Sequence, residues 1–152
     1  MPTLYFEDLT PGSTWELGTY EVDRDEIVEF AEQYDPQPFH LDETAAADSI
    51  FGELVASGWH TASVYIRLLT LDFLEDTSLL AGKRVSNLHW KRPVRPGDTL
   101  SGRVEILDTS PSDTRPARGY VDYRIVGTNG ADELVLQMDL HGLFGRRPTA
   151  DG

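Results

Sequence analysis

Trp59, Ala62, Val64, Tyr65, Ile66, Leu68, Leu69, Leu71, Phe73 and Leu74 follow Gly58 so densely that they leave no polar face wide enough for water. A helix that is apolar nearly all round belongs inside a core. Beyond Gly82 the pattern changes completely. Residues 85–91, 99–107, 119–127 and 133–144 read as four strands. Asn129-Gly130 is a hairpin signal between the last two, and Pro96-Gly97-Asp98 punctuates the first two. Strands joined by hairpins form an antiparallel sheet that needs one covering element on its apolar face, and the buried helix supplies it.

The N-terminal third holds smaller pieces. Residues 18–22 alternate as a strand. Asp23 is an N-cap, and Glu26 completes a capping box three residues on. Ile27, Phe30, Ala31 and Tyr34 then form one helical face, which ends at Pro36 and Pro38. A second short helix is expected over 43–48, capped by Asp42 and ended by Gly52. The stretch 108–118, with two prolines, reads as a long exposed loop. The expected fold is α+β: one domain over 1–152 with a core of about 6–144, an antiparallel sheet wrapped around a long central helix, and a disordered tail over 145–152. This is the hot dog arrangement.

Composition narrows the function classes. The 152 residues contain no cysteine, which excludes disulfides, thiolate metal sites and a cysteine nucleophile. Asp plus Glu is 26 against 13 for Lys plus Arg, a net charge of -13 that opposes binding to nucleic acid or to an anionic membrane. The scarcity of lysine among the bases suits a salt-adapted cytoplasm as well as it suits plain solubility. No apolar run approaches the roughly 20 residues of a membrane span. With no basic N-terminal leader pattern, the expected location is cytoplasmic.

Three signals bear on chemistry. The first is Tyr34-Asp35-Pro36-Gln37-Pro38-Phe39-His40, where two prolines stiffen a loop that holds a carboxylate and an imidazole. Such a pair can share a water. Equally, Asp35 can cap a turn and His40 can pack into a loop; spacing alone leaves both open. The second is Ala56-Ser57-Gly58-Trp59-His60-Thr61-Ala62-Ser63, the entry to the long helix. Its free N–H groups form a positive end, and Gly58 lets a carbonyl approach. Ser63, one turn on, could face the same place or simply pack under the sheet, and His60 is a weaker candidate. The third is a run from Thr77 to Gly97 with no acidic residue, in which Lys83, Arg84, Lys91, Arg92 and Arg95 all fall. It could draw an anionic carrier or form a solvated strand edge. His89 and His141 fit strand patterns and read as structural.

Together these residues resemble the MaoC-like dehydratases, the family of R-specific enoyl-CoA hydratases. Asp35, Pro38, Phe39 and His40 match its Gly-Asp-x-Asn-Pro-apolar-His pattern, and Arg92-Pro93-Val94-Arg95-Pro96-Gly97-Asp98 resembles its stretch between two strands. Tyr34 stands in place of the glycine and would trim the pocket. Gln37 replaces the asparagine, keeping the amide on a longer stem. The resemblance implies reversible addition of water to a trans-2-enoyl thioester, giving a 3-hydroxyacyl thioester. In that chemistry Asp35 and His40 are catalytic, Gly58 stabilises the oxyanion, and Ser63 and Gln37 position the substrate. Arg84, Lys91, Arg92 and Arg95 are candidate contacts for the carrier's phosphates. It also implies no metal and no permanently bound cofactor, a substrate carried on coenzyme A or an acyl carrier protein, and a homodimer or larger assembly. The alternatives within the fold are an acyl-CoA thioesterase and a non-catalytic acyl-CoA binding subunit.

Overall fold

The structure is a computed structural model that describes residues 2–149. Helix α1 spans Arg24–Tyr34, α2 Glu43–Ala47 and α3 Gly58–Asp72. The strands are β1 Thr14–Glu16, β2 Tyr20–Glu21, β3 Leu79–Trp90, β4 Thr99–Pro111, β5 Arg118–Thr128 and β6 Leu134–Gly145. All strand pairs are antiparallel, in the order β1-β4-β5-β6-β3, with β2 also on β4. The sheet wraps around α3, giving the α+β hot dog fold.

Alternation along the long strands explains the core. Val104 and Ile106 of β4 stand opposite Ile125 and Tyr123 of β5, which in turn face Met138 and Leu140 of β6. This layer packs with Tyr65, Leu68, Leu69 and Phe73 in one cluster. Tyr65 lies so close to the sheet that a Cβ on Gly127 would meet its ring at 2.3 Å. Its hydroxyl donates to the Thr128 carbonyl at 3.0 Å, which satisfies a buried polar group.

Several sequence expectations need correction. Helix α3 buries His60, Thr61, Ala62, Val64, Tyr65, Leu68 and Leu69 but leaves Trp59, Ile66 and Leu71 exposed, so its apolar surplus points outward. β3 starts six residues earlier than its alternation suggested, and β1 was too short to see. Prolines at strand ends cost no ladder bond, so β4 runs to Pro111 and the connection to β5 shrinks to 112–117. The last hairpin is not a two-residue Asn-Gly turn. Asn129 N–H donates to the Glu133 carbonyl, the Asn129 side chain accepts from Ala131 and Glu133, and the left-handed residue is Asp132. Only half the capping box forms, because Asp23 accepts from Glu26 N–H while the Glu26 carboxylate binds elsewhere. The expected tail is partly held: Gly145 closes β6, and Arg147 pairs with Asp8 and donates to Glu7. Ala150 to Gly152 lie outside the described residues.

The net charge of -13 predicts self-repulsion at low ionic strength. The melting temperature is expected to rise as KCl is raised from about 0.05 to 3 M, where the Debye length falls below about 3 Å. A flat curve would remove the salt-adapted reading.

Candidate active site

The Asp–His loop is built by helix ends. Asp35 is the C-cap of α1, its N–H donating to the Ala31 carbonyl at 2.9 Å. Pro36 cannot continue the helix. The chain then turns into a short 3-10 helix over Pro38–His40, with Gln37 N–H donating to Asp35 C=O and His40 N–H to Gln37 C=O. This winding brings the His40 ring back to Asp35, with Nε2 3.5 Å from Oδ2. His40 is 5% exposed.

The tautomer of His40 follows from its other nitrogen. Nδ1 lies 2.7 Å from the Val55 carbonyl oxygen, which can only accept, so Nδ1 carries the proton. In the neutral ring Nε2 is therefore a lone pair facing the carboxylate. The 3.5 Å separation leaves room for one water to reach both Nε2 and Oδ2 at ordinary hydrogen-bond distances of about 2.8 Å.

Asp35 is held by two donors. Ser57 Oγ donates to Oδ2 at 2.6 Å and Gln37 Nε2 to Oδ1 at 2.7 Å. The Ser57 bond, more than any other cause, keeps the Asp35 carboxyl below the usual carboxylate range; burial opposes it, and the Gln37 bond and the His40 charge add to it. Ser57 is fully buried and also caps α3, accepting from Trp59 N–H. One hydroxyl thus joins the Asp35 carboxylate to the positive end of the long helix.

The next residue, Gly58, presents an N–H with no acceptor among the described residues, as expected for the first turn of a helix. Asp35, Gln37, His40, Gly58 and Thr61 line one cavity of about 420 Å3. Phe39, Phe51, Val55, Ala56, Trp59, Trp90 and Val94 form its apolar walls, and Lys91 and Arg92 stand on its lining too. The entry segment is fixed from below by Ala56 N–H donating to the Val94 carbonyl at 2.8 Å.

Not every predicted residue arrives here. Ser63 donates to the Trp59 carbonyl and lines a different cavity with Tyr20, Glu26, His60 and Arg67. Five residues of helix at about 100° each turn its side chain roughly 140° away from Gly58. Arg84 lies six residues before Trp90 on β3, about 20 Å along an extended strand, and lines clefts with His141. Arg95 pairs with Glu53 and also lies off the cavity. Arg92 reaches the cavity while paired with Glu133 at 3.2 Å. Tyr34 is exposed against Phe30 and trims nothing. His60 is buried, donating from Nε2 toward Glu26 Oε1 at 3.1 Å; the same oxygen accepts from Tyr20, whose hydroxyl pKa is pushed up to about 12, chiefly by that bond.

Trp90, like Phe51 and Val55, lines the cavity without having been singled out by the sequence. Its indole N–H donates to the Gly58 carbonyl at 2.7 Å, across 32 positions of sequence. A further reason for glycine at position 58 is packing: a Cβ there would meet the Trp90 ring at 2.5 Å.

The family model of the MaoC like domain matches residues 8–125. The chain belongs to the MaoC-like dehydratase family. A MaoC-like dehydratase from Rhodospirillum rubrum superposes with a TM-score of 0.88 at 39% identity, covering 96% of this chain and 99% of that one. The uncharacterized protein YdeM of Bacillus subtilis is 30% identical over 140 residues, 92% of this chain and 98% of YdeM. A 3-hydroxybutyryl-CoA dehydratase of Methylorubrum extorquens is 34% identical over 113 residues, 74% of this chain and 69% of that protein. Within the MaoC-like family, this member carries Gln37 and Ser57 as the two donors on its aspartate. No described helix is long and apolar enough to cross a membrane.

Proposed function

We propose that this protein is an acyl dehydratase/enoyl-CoA hydratase that adds water reversibly to trans-2-enoyl thioesters. The observation that carries the reading is the lone pair of His40 Nε2, fixed by Val55, facing the Asp35 carboxylate in a cavity that Gly58, at the first turn of α3, also lines. In hydration, Nε2 takes a proton from the shared water as its oxygen bonds to C3. The double-bond electrons move through C2 and C1 to the thioester oxygen. Gly58 N–H and the helix end stabilise that oxyanion, a donor worth roughly 3 kcal/mol. The Asp35 carboxylate stabilises the imidazolium, which then returns its proton to C2. The acyl group gains one H at C2 and one OH at C3, and the neutral imidazole is regenerated. Dehydration runs the same steps backwards, with Nε2–H protonating the leaving hydroxyl.

Coenzyme A fits as the carrier, with Lys91 and Arg92 at the cavity for its phosphates. The test is a panel of enoyl-CoA thioesters of increasing length. Loss of the conjugated absorbance without release of free thiol is expected. Thiol release at the same rate would instead identify a thioesterase, and binding with no turnover a non-catalytic subunit.

The same reading includes a dimer. β3 is a sheet edge with Leu80, Val85 and Trp90 exposed, and α3 adds Trp59, Ile66 and Leu71. An open edge beside exposed apolar side chains calls for a partner, and a second copy has the matching edge. Light scattering at micromolar concentration is expected to give twice the 17.0 kDa chain mass. A monomer would refute the assembly.

A further inference from the structure

Trp90 occupies the space that a side chain at position 58 would need. The Cε2, Nε1 and Cζ2 atoms of its ring lie 2.5, 2.7 and 2.9 Å from where a Cβ on Gly58 would be. All three belong to a rigid indole, so nothing flexible yields there. The ring is held at its other end as well. Trp90 closes β3, opposite Leu136 of β6, and the following Lys91 N–H donates to the Val135 carbonyl at 2.7 Å. Trp59 meets it edge to face, with ring centroids 5.2 Å apart at 84°. Two indoles therefore make a fixed corner beside the first N–H of α3, and both line the cavity of Asp35 and His40.

We infer that Trp90 is a specificity-determining residue that limits the substituent on C2 of the acyl group, so that the site takes enoyl thioesters unbranched at that carbon. The inference rests on the hydratase reading. With the carbonyl oxygen on Gly58 N–H and C3 at the water between Asp35 and His40, C2 is the carbon between them. It lies next to Gly58, the residue whose carbonyl Trp90 binds and whose Cα the indole ring covers. A methyl group on C2 has to share space with an indole that is hydrogen-bonded to Gly58 and packed edge to face on Trp59. One methyl rejected by a packed apolar wall changes kcat/KM by about 10- to 200-fold.

The experiment compares crotonyl-CoA with 2-methylcrotonyl-CoA on the wild type, Trp90→Ala and Trp90→Phe. The branched substrate is intrinsically less reactive, but that difference cancels when the kcat/KM ratio of the two substrates is compared between enzymes. Trp90→Ala is expected to lower the preference for the unbranched substrate by about tenfold or more. Trp90→Phe keeps a ring on the wall and loses the indole N–H; it is expected to stay near the wild-type ratio. A preference that changes by less than roughly threefold in Trp90→Ala overturns the inference. Should that variant not fold, Trp90→Leu replaces it with the same criterion. A second arm uses the saturated thioesters butyryl-CoA and 2-methylbutyryl-CoA and measures Kd by calorimetry. If no enoyl thioester turns over, the hydratase reading fails while this arm still decides the wall: the branched ligand binds relatively better to Trp90→Ala, or the inference is wrong.

Discussion

Asp35→Asn and His40→Gln are each expected to lower kcat for hydration by about 10² to 10⁴, the usual cost of losing one acid–base group. Asparagine keeps the shape that accepts from Ser57 but carries no negative charge to stabilise an imidazolium. Glutamine keeps a donor for the Val55 carbonyl and loses the titrating nitrogen. Because both groups act on one water, the double variant should be little worse than the worse single one. Thermal melts of all three should stay near the wild type. If both single variants keep more than about a tenth of the activity, the pair is structural, and the hydratase reading loses its support.

Ser57→Ala is the second large effect, and it separates geometry from charge. The change removes the strongest hold on Asp35 and the cap on α3 together. A misplaced Asp35 is expected to lower kcat/KM by about tenfold to a hundredfold, and the lost cap to cost about 1 kcal/mol of stability. The pH dependence has a definite sign. The folded Asp35 pKa lies below its unfolded value, chiefly because of Ser57. Its contribution to stability is therefore present above the ordinary aspartate value of about 4 and is lost as pH falls through the depressed folded value. The stability gap between wild type and Ser57→Ala should narrow as pH falls below about 4, leaving the cap's share. Carbon-13 titration of the Asp35 carboxyl should show its midpoint rising in the variant. An unmoved midpoint would mean that Ser57 does not set the charge of Asp35.

How far the sequence foretold this site depended on distance along the chain. Asp35 and His40 were legible because both lie on one short loop whose prolines restrict it. Gln37 came in through the family pattern, and the bond it makes to Asp35 was not foreseen. Ser57 was visible as a cap, but its bond to Asp35 spans 22 positions and depends on where α1 ends against α3. Trp90 was lost because the alternation of β3 breaks at register shifts, one of them between Ser86 and His89. Within the fold, the buried helix and the four long strands followed from periodicity. The direction of the helix's spare apolar face did not, because a hydrophobic pattern is the same whether a sheet or a second chain covers it.

The entry to α3 is sewn down at consecutive residues: Val55 to His40, Ala56 to Val94 and Ser57 to Asp35. Each of these residues is also buried. In this segment the scaffold and the chemistry are the same atoms, so a substitution here would be expected to damage folding and turnover together. Variation in substrate choice is therefore channelled to the less buried walls of the cavity. Phe51, Trp59 and Trp90 border the cavity without being fully buried. Divergence among proteins that share this arrangement should accumulate at those three walls, and laboratory libraries aimed at new acyl groups should start from them.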